Sequence, residues 1–362
     1  MKNILMTLYG PLETDARVLR SIDAALQSDF KVSIITCGTR NDYVSSDDVK
    51  VINLPIKAVG IKAYWLFCRK CLDYYRNHHN EIDVVYLHDY YSTCVGLLFP
   101  SYSNNQIFIY DAHELILPMP EQNLTLRERF FVFTEKKLLK KVNLIIQANK
   151  EREQIFKGKY PFAKTSNVLN ITKYNIEEGR TIDNNKVVLV YQGNISEDRH
   201  LSFFIDAIAK MEDKYSLLMI GSGPNLNDYR RKVEQMCLGN RVTFTGRLSN
   251  VDMMTKLKSC SIGIISYPFT NYNNIYCSPN KIFEYAAMSL PFIATEQPFI
   301  REVQDNYGIG RTFKEGDIQS FIDNIQIIVD NYTSYTNTSL FLKEYSYEKE
   351  LEKLKGLLTS AI

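Results

Sequence analysis

Short runs of Val, Ile and Leu alternate with helical segments twice along this chain, and this alternation constrains its fold more than any other feature. Such runs, separated by helices, are typical of parallel strands that are buried on both faces of a sheet. A chain of 362 residues is long enough for two domains of ordinary size. The sequence therefore predicts an α/β protein with two Rossmann-like, doubly wound domains that face a cleft.

The first alternation predicts a domain over residues 1–172. Its predicted strands span residues 3–8, 32–36, 51–54, 84–87, 107–110 and 144–146. Its predicted helices span residues 16–27, 62–78 and 126–141. In sheets of this kind ligands bind outside the carboxyl ends of the strands, so residues that follow these strands are candidates for function.

The second alternation predicts a domain over residues 186–343, after a polar segment at 173–186 that we interpret as a linker. The predicted strands are 187–191, 216–220, 242–245, 262–266 and 292–294, and the predicted helices are 201–211, 226–237, 250–258 and 280–287. A last helix near 344–358 has Leu351, Leu354 and Leu358 on one side. We expect the terminal segment 344–362 to pack back onto the first domain.

The net charge and its distribution along the chain bear on possible binding partners. The net charge is only +2, so the whole chain gives no reason to expect nucleic acid as a partner. Residues 127–164, however, contain eleven Lys and Arg against four Asp and Glu. A basic run is most often a solvated helix face. The alternative is peripheral contact with an anionic membrane, where basic side chains meet lipid headgroups.

The cysteines and the absence of long apolar runs indicate a compartment. No stretch approaches the roughly 18 apolar residues of a membrane-spanning helix. Seven cysteines at irregular spacing are typical of reduced thiols. Cys68 and Cys71 fall in an aromatic helical pattern without a second pair at zinc spacing, which favours a helix face over a metal site. We expect a cytoplasmic protein, with the inner face of the membrane as the place of any lipid contact.

The segment from Ser278 to Glu284 predicts a phosphate site. Ser278 is expected to cap a helix whose first residue is Pro279, followed by Asn280. Lys281 would then lie in the first turn, where the helix dipole disfavours a cation unless an anion is bound. Glu284 shares a face with Lys281 and could accept two hydrogen bonds from a ribose diol. The alternative is an ordinary Lys–Glu pair on a helix surface.

Three successive strands of the second domain run into glycines, two of them with an arginine nearby. One glycine alone would mean little, because glycine often ends a strand. Together with Lys281 and Glu284 they predict one pocket for a nucleotide diphosphate. The residues concerned are Gly193, Asn194 and Arg199 after the first strand, Gly221 and Gly223 after the second, and Gly246 and Arg247 after the third.

These motifs resemble those of the retaining glycosyltransferases of family 4, which have the GT-B fold. The resemblance spans the chain and is nearest to bacterial enzymes of capsule, O-antigen or exopolysaccharide synthesis. It implies a nucleotide-sugar donor held by the second domain, with uridine more frequent than guanosine. It also implies a saccharide or lipid-linked saccharide acceptor at the first domain, retention of anomeric configuration, no cofactor and no metal. The motifs are Phe244-x-Gly246, Gly221-x-Gly223-Pro224, residues 278–285 and Leu290-Pro291.

The resemblance assigns roles in the second domain. Arg199 matches a basic residue that contacts the donor diphosphate, and Glu284 matches the second glutamate of a pair, which holds the ribose hydroxyls. The segment Gly246-Arg247 falls where backbone groups contact the base. Two positions depart from the family pattern. Tyr276 stands where the first glutamate would be, and Asn194 stands where an arginine is common, so Lys281 is expected to supply the missing cation.

In the first domain the candidates follow the predicted strands. The segment Tyr110-Asp111-Ala112-His113-Glu114 resembles a strand-end motif of the family, whose histidine lies near the transferred sugar. The resemblance gives that place to His113, and Glu114 beside it could take the acceptor proton. A structural histidine is the alternative for His113, and equally for His88 at the end of the preceding strand. The acceptor side also includes Gly10, Asp15 and Arg17. Arg17 and Arg20 could form surface ion pairs or, in a cleft, contact the phosphate of a lipid-linked acceptor.

Two other functions share this architecture. A nucleotide-sugar epimerase would have the same donor pocket without an acceptor site, but its extra acid and base carboxylates are not evident. A non-catalytic binding partner would be expected to lose its phosphate cations, yet Arg199 and Lys281 are present. The sequence therefore favours a metal-independent glycosyltransferase.

Overall fold

The computed structural model describes residues 1–39, 46–56, 59–100, 106–120, 123–177 and 179–361. They form two compact units. The first unit comprises Met1–Thr172 and Tyr347–Ile362, and the second comprises Lys173–Ser346. Each unit is built around its own parallel sheet, so the prediction of two Rossmann-like α/β domains is confirmed.

The sheet of the first unit has, among the described residues, seven parallel strands in the order β3-β2-β1-β4-β5-β6-β7. The strands are β1 (Lys2–Thr7), β2 (Phe30–Cys37), β3 (Val49–Leu54), β4 (Val84–His88), β5 (Ile107–Ala112), β6 (Leu144–Gln147) and β7 (Thr165–Asn167). The helices between them are α1 (Ala16–Leu26), α2 (Ile61–His78), α3 (Thr93–Leu98), α4 (Leu126–Leu138) and α5 (Lys150–Lys159). The order reverses between β1 and β4, which marks the edge where ligands bind in such sheets.

The sheet of the second unit has six parallel strands, again counted over the described residues, in the order β10-β9-β8-β11-β12-β13. The strands are β8 (Val187–Gln192), β9 (Tyr215–Ile220), β10 (Val242–Gly246), β11 (Ile262–Ile265), β12 (Phe292–Thr295) and β13 (Gly310–Phe313). The helices are α6 (Ser202–Lys210), α7 (Leu226–Gln235), α8 (Asn250–Leu257), α9 (Tyr272–Ile275), α10 (Asn280–Ala287), α11 (Pro298–Tyr307), α12 (Ile318–Asp330) and α13 (Ser339–Glu344). The order reverses between β8 and β11.

Local sequence explains where several helices begin. The Asp15 carboxylate accepts hydrogen bonds from the amides of Arg17 and Val18 and so caps α1. Thr125 and Glu128 form a reciprocal capping box at the start of α4. Both helices therefore begin at fixed positions beside the sheet edge.

The last helix, α14 (Tyr347–Ser360), packs in the first unit. The Tyr347 hydroxyl donates to Asp23 of α1 at 2.6 Å, and Glu350 accepts from the Leu169 amide at 2.6 Å. Leu354 and Leu358 are buried in the core of this unit. Burial of these apolar side chains supplies the main driving force for the packing of α14.

The segment interpreted as a linker has no helix or strand over its described residues, but hydrogen bonds hold it on the second unit. The Glu177 amide donates to the Ala287 carbonyl at 2.8 Å, and Arg180 donates to the carbonyls of Met288 and Leu257 at 3.0 and 2.6 Å. Three polar contacts of this kind dock the segment without any apolar periodicity. The segment between the two predicted domains is therefore held on the second unit by hydrogen bonds.

The structure adds elements that the sequence pattern did not predict. They include the edge strands β7 and β13, the short helices α3, α9 and α13, and the longer helices α5, α11 and α12. An edge strand such as Thr165–Asn167 is too short and too polar to stand out from a loop. Over the part of the chain that is described, no helix is long and apolar enough to cross a bilayer.

Candidate functional site

Loops at the carboxyl ends of β8, β9 and β10 lie next to one another because the three strands are neighbours in the sheet. The Gly193 amide donates to the Ile220 carbonyl at 2.9 Å, and the Gly221 amide donates to the Gly246 carbonyl at 2.9 Å. The structure thus brings together the glycines singled out in the sequence. We call Gly193, Gly221, Gly223 and Gly246 the glycine cluster.

The glycine cluster depends on the lack of side chains. Gly193 and Gly221 have φ of +136° and +147°, a backbone region that favours glycine. A Cβ on Gly221 would lie 1.8 Å from the Gly193 carbonyl oxygen, and one on Gly223 would lie 2.2 Å from that of Ile195. The close approach of these loops therefore requires glycine. Backbone amides that are free of side chains in this way can form an anion-binding site.

Two cations lie beside the glycine cluster and share one aromatic ring. The Arg199 guanidinium carbon lies 4.6 Å from the Tyr267 ring centroid, and Lys281 Nζ lies 5.0 Å from it. Lys281 Nζ is also 3.3 Å from the Tyr267 hydroxyl and 5.4 Å from the Tyr191 ring centroid. A Cβ on Gly193 would lie 3.3 Å from Lys281 Nζ. We call Arg199 and Lys281 the cation pair.

The cation pair has capacity for an anion. Burial lowers the pKa of Lys281, but Tyr267 and Tyr191 outweigh burial and leave the pKa above its usual value, so the ammonium is charged. Arg199 Nη1 is buried and has no hydrogen-bond partner among the described residues, while its Nε lies 3.6 Å from the Asp198 carboxylate. A buried donor without a partner is uncommon, and a bound anion would satisfy it.

Glu284 lies one helical turn beyond Lys281, and its Oε2 accepts a hydrogen bond from Gln192 Nε2 at the end of β8. Burial raises the pKa of Glu284, whereas Lys281 and the bond from Gln192 act in the opposite direction. Gln192 Oε1 is buried without a hydrogen-bond partner in the described part of the chain. The Gln192–Glu284 pair is therefore a second polar feature at the same edge.

The helix start differs from the prediction by one residue. Pro279 has extended backbone angles (φ −70°, ψ 137°) and occupies the cap position, and α10 begins at Asn280. Ser278 makes no capping hydrogen bond, so its prediction as the cap is wrong. The reason is that ψ of Pro279 is not helical. Lys281 remains in the first turn, where backbone amides point beyond the helix start.

The other donor-side candidates lie around this edge. The Asn194 side chain donates to Ser196 at 2.8 Å and its carbonyl accepts from the Tyr191 hydroxyl at 2.9 Å. Arg247 is exposed immediately after β10. The two contacts of Asn194 and the exposure of Arg247 do not test the roles that the resemblance gives these residues, and these roles stay predictions.

In the first unit the buried His88 and Asp111 and the partly exposed His113 form a cluster at the ends of β4 and β5. His88 Nδ1 lies 3.3 Å from His113 Nε2 and 3.6 Å from Asp111 Oδ2. His113 Nδ1 lies 3.7 Å from Asp15 Oδ2. Burial lowers the pKa of His113 well below its usual value and that of His88 to about 4. Both imidazoles are therefore neutral near pH 7.

Asp111 is the hub of this cluster. Its Oδ1 accepts from Arg17 Nε at 2.9 Å and Nη2 at 2.5 Å, and its Oδ2 accepts from the Tyr86 hydroxyl at 3.0 Å. Burial raises the pKa of Asp111, but Arg17 and the two histidines outweigh burial and hold it well below its usual range. The carboxylate is thus charged.

Arg17 does not have the surface role or the phosphate role considered for it. Its side chain is 3% exposed, and Nη1 donates to the Val168 carbonyl at 2.9 Å while Nε and Nη2 bind Asp111. Arg20 is also buried and donates to the Ile171 carbonyl at 3.0 Å. Both guanidiniums are used inside the unit because α1 packs its basic face against the sheet edge.

Glu114 and Gly10 are the remaining candidates on the acceptor side. Glu114 is exposed, directly after His113. Gly10 is buried, but its backbone has room for a Cβ, so nothing there requires glycine. Asp89, which follows His88 at the end of β4, has φ 61° and ψ 163°, a region almost confined to glycine. Strain of this kind is concentrated at functional sites.

The same cluster is also a possible set of metal ligands, because one ligand atom each from His88, Asp111 and His113 all lie within 4.8 Å of one another. Asp111, however, already binds Arg17 through Oδ1 and Tyr86 through Oδ2. A divalent cation would be repelled by the buried guanidinium. The donor set fits a metal poorly, and independence of metal stays a prediction.

Sequence reasoning missed Tyr267, Gln192 and Asp111. Tyr267 follows β11 at the strand reversal, so its position was available as a signal, but an aromatic residue there has many uses. Gln192 ends β8 and carries no charge that would mark it. Asp111 stood inside the motif around His113, yet its ion pair with Arg17 joins residues 94 apart in sequence.

Comparisons with known proteins bear on both units. Residues 186–331 match the family described as glycosyl transferases group 1. No curated protein sequence matches the chain. Sucrose-phosphate synthase from Thermosynechococcus elongatus has a similar structure, with a TM-score of 0.81 at 14% identity over 99% of both chains.

Two further solved structures are similar. HepE of Anabaena, solved with UDP-glucose, gives a TM-score of 0.69 at 14% identity over 99% of this chain and 100% of that one. A TarM mutant of S. aureus, solved with fondaparinux, alpha-GlcNAc-glycerol and UDP, gives 0.73 at 10% identity over 99% of both chains. These likenesses establish the fold.

The strand orders, the fold likeness and the group 1 match indicate a glycosyltransferase with the GT-B fold. Within this chain the group 1 match coincides with the second unit, from just before β8 to the end of α12. The glycine cluster, the cation pair and Glu284 all lie inside the matched residues.

Proposed function

We propose that this protein transfers a sugar from a nucleotide-diphosphate donor, held by the second unit, to a saccharide or lipid-linked saccharide acceptor at the first unit. The observation that carries the proposal is the cation pair on Tyr267 beside the glycine cluster. Its partnerless Arg199 Nη1 and the charged Lys281 both suit a diphosphate. HepE was solved with UDP-glucose and TarM with UDP, which supports a nucleotide at this kind of fold.

The cation pair would act on the leaving group. As the bond between the anomeric carbon and the diphosphate oxygen breaks, negative charge grows on that oxygen. Arg199, Lys281 and the amides of the first turn of α10 are fixed in place and can stabilise this charge without a metal. Glu284 would accept hydrogen bonds from the ribose hydroxyls, and Gly246 and Arg247 would contact the base.

The first unit would supply the acceptor side. A neutral His113 can hydrogen-bond a sugar hydroxyl through Nδ1, because its Nε2 faces His88, and the exposed Glu114 carboxylate can take the proton of the attacking hydroxyl. Asp111 would not touch substrate. Held by Arg17, it would fix the positions of the two imidazoles. We therefore separate His113 and Glu114, which would contact substrate, from Asp111 and Arg17, which would position them.

Finer parts of the proposal come from the family resemblance. They are retention of configuration, a uridine rather than guanosine donor, absence of a cofactor, and a place in surface polysaccharide synthesis. A cytoplasmic location is supported by the cysteines, each of which is a free thiol.

Turnover with purified protein tests the proposal. UDP-, GDP- and dTDP-sugars are each incubated with the protein, and release of nucleoside diphosphate is followed with and without candidate acceptors. We expect slow donor hydrolysis alone and faster release with an acceptor. Lys281→Ala and Arg199→Ala should each lower the rate about 10²–10³-fold, as loss of one preorganised charge does.

The control is Lys210→Ala, an exposed lysine at the end of α6, which should keep the full rate. Interconversion of the donor sugar without transfer would indicate an epimerase and contradict the proposal. Tight nucleotide binding without turnover on any donor would indicate a non-catalytic binding protein and would contradict it as well.

A further inference from the structure

Two helices of the first unit, α2 and α4, expose large apolar side chains next to each other. Trp65 is 45% exposed on α2, and Phe133 is 58% exposed on α4. The Trp65 and Phe130 ring centroids are 6.1 Å apart, which joins the two helices into one surface. Leu66 and Leu126 extend it. Apolar side chains grouped in this way mark an interaction surface.

Basic side chains surround these rings. On α2 and α4 the exposed Lys and Arg residues far outnumber the exposed carboxylates, and Lys137 Nζ lies 5.5 Å from the Phe133 ring centroid. The Glu128 carboxylate is turned to the helix start, where it caps α4. Arg69 on α2 lies 4.0 Å from the Asp73 carboxylate. The exposed basic residues are Lys62, Arg69, Lys70 and Arg76 on α2 and Arg127, Arg129, Lys136 and Lys137 on α4.

Except for Phe130, which is half-buried and packs on Tyr64 and Trp65, these side chains lie away from the buried faces of the two helices. Phe67 and Cys68 form the buried face of α2, and Phe131 and Leu138 form that of α4. The exposed residues recur at spacings of three and four on the opposite faces, where polar residues are usual. Trp65, Leu66, Lys70, Phe130, Phe133 and Lys137 define what we call the aromatic–basic surface.

We propose that the aromatic–basic surface docks this protein on an anionic lipid bilayer. Leucine and phenylalanine side chains can enter the boundary between headgroups and acyl chains, and tryptophan prefers this depth. Lysine and arginine around them meet anionic headgroups. An acidic protein or a nucleic acid would pair with the basic side chains but would leave the exposed leucines in water, so the mixture of both favours a membrane.

The surface is continuous with the candidate acceptor side of the same unit. The Tyr64 hydroxyl donates to the Tyr91 carbonyl at 2.9 Å, and Tyr91 stands two residues after the strained Asp89. The Tyr9 ring lies 5.4 Å from the Tyr64 ring, beside Gly10. When this unit is docked on a bilayer, its candidate acceptor side would lie near the headgroups, which suits a lipid-linked acceptor. This consequence alone rests on the proposed function.

The chain offers its own reporter, because Trp65 is its single tryptophan. The protein is mixed with vesicles of phosphatidylcholine alone or with added phosphatidylglycerol, without nucleotide. We expect cosedimentation and a blue shift of tryptophan emission with the anionic vesicles, and neither with the neutral ones. The binding should weaken in high salt. Protein that stays in the supernatant with unshifted emission would overturn the proposal.

Matched variants locate the surface. Lys70→Glu/Lys137→Glu and, separately, Leu66→Ser/Phe133→Ser should each lower the partition coefficient on the order of tenfold or more. The control Lys157→Glu/Lys159→Glu changes exposed lysines of α5 in the same basic run and should bind like the parent protein. An equal loss in the control would mean general basic attraction and would contradict the assignment, as would binding of the unaltered protein to polyanions but not to vesicles.

Nucleotide binding keeps this test separate from the proposed function. All variants are compared by circular dichroism and by UDP binding, which surface changes in the first unit should leave unaltered. Loss of vesicle binding with intact UDP binding supports the surface. Absence of UDP binding in every protein, with vesicle binding retained, would contradict only the proposed function.

Discussion

The Gly221 backbone lies against the Gly193 carbonyl so closely that a methyl group on Gly221 would be 1.8 Å from that oxygen. The neighbour is backbone and cannot move aside as a flexible side chain would. Gly221→Ala should therefore separate the loops after β8 and β9, weaken nucleotide binding at least about tenfold, and lower the free energy of unfolding by roughly 2 kcal/mol or more. Calorimetry and urea denaturation measure the two effects.

Gly239→Ala is the matched control, because Gly239 is exposed and nothing lies within 4 Å of a Cβ there. Its free energy of unfolding should change by no more than about 0.5 kcal/mol. If Gly221→Ala behaved like Gly239→Ala, the close approach of the two loops would be in error.

The buried Arg17–Asp111 pair should contribute strongly to stability. Arg17→Ala leaves a buried carboxylate without its cation and should lower the free energy of unfolding by about 3–5 kcal/mol. The Arg231–Asp228 pair has the same 2.5 Å separation but is exposed, so Arg231→Ala should lower the free energy of unfolding far less than Arg17→Ala does. Urea denaturation at pH 7 compares them, and equal losses would contradict the buried role.

The same pair predicts an acid dependence. The pKa of Asp111 is lower in the folded protein than in the unfolded chain. Its stabilising contribution is therefore present above the unfolded pKa, near 4, and is lost as pH falls from there through the folded pKa. The gap in unfolding free energy between the parent protein and Asp111→Asn should narrow on acidification below pH 4. A gap that stays constant would argue against this linkage.

Glu135 predicts the opposite dependence. It is buried on α4 and accepts a hydrogen bond from the Tyr110 hydroxyl at 2.9 Å, and burial raises its pKa to about 7. Its contribution is thus present below the unfolded pKa and lost as pH rises from about 4.5 to 7. Glu135→Gln should be more stable than the parent by up to about 3 kcal/mol at pH 8, with little difference at pH 4.

Urea denaturation at the two pH values measures this difference, and Glu234→Gln, at an exposed position on α7, is the control. The control should show the same small effect at both values. Equal stability of Glu135→Gln and the parent protein at pH 8 would show that the carboxyl group is ionised at no cost in the folded state.

The fold could be predicted because its signals are local. Strands such as β8 and β12 are continuous apolar runs, and the helices between them carry a periodic apolar face. The glycines and cations of the second unit were found for a related reason, since residues after parallel strands converge at one edge. The start of α10 was missed by one residue because the backbone angle of Pro279 is not encoded in a capping rule.

The parts that sequence reasoning missed depend on distant contacts. Arg17 was considered for a surface ion pair or for a phosphate contact in a cleft, yet it is buried in an ion pair with Asp111. The contacts of Tyr267 with Arg199 and Lys281 bring together three segments that are far apart in the sequence. Such contacts follow from tertiary packing, and the spacing of residues in the sequence does not predict them.

Calorimetric titration with UDP and with uridine, on the parent protein and on Lys281→Ala, tests most directly whether the first turn of α10 holds the diphosphate. We expect UDP to bind far more tightly than uridine to the parent protein, and Lys281→Ala to weaken UDP at least about tenfold while leaving uridine nearly unchanged. Lys210→Ala should match the parent protein. Unchanged UDP affinity in folded Lys281→Ala would contradict the account.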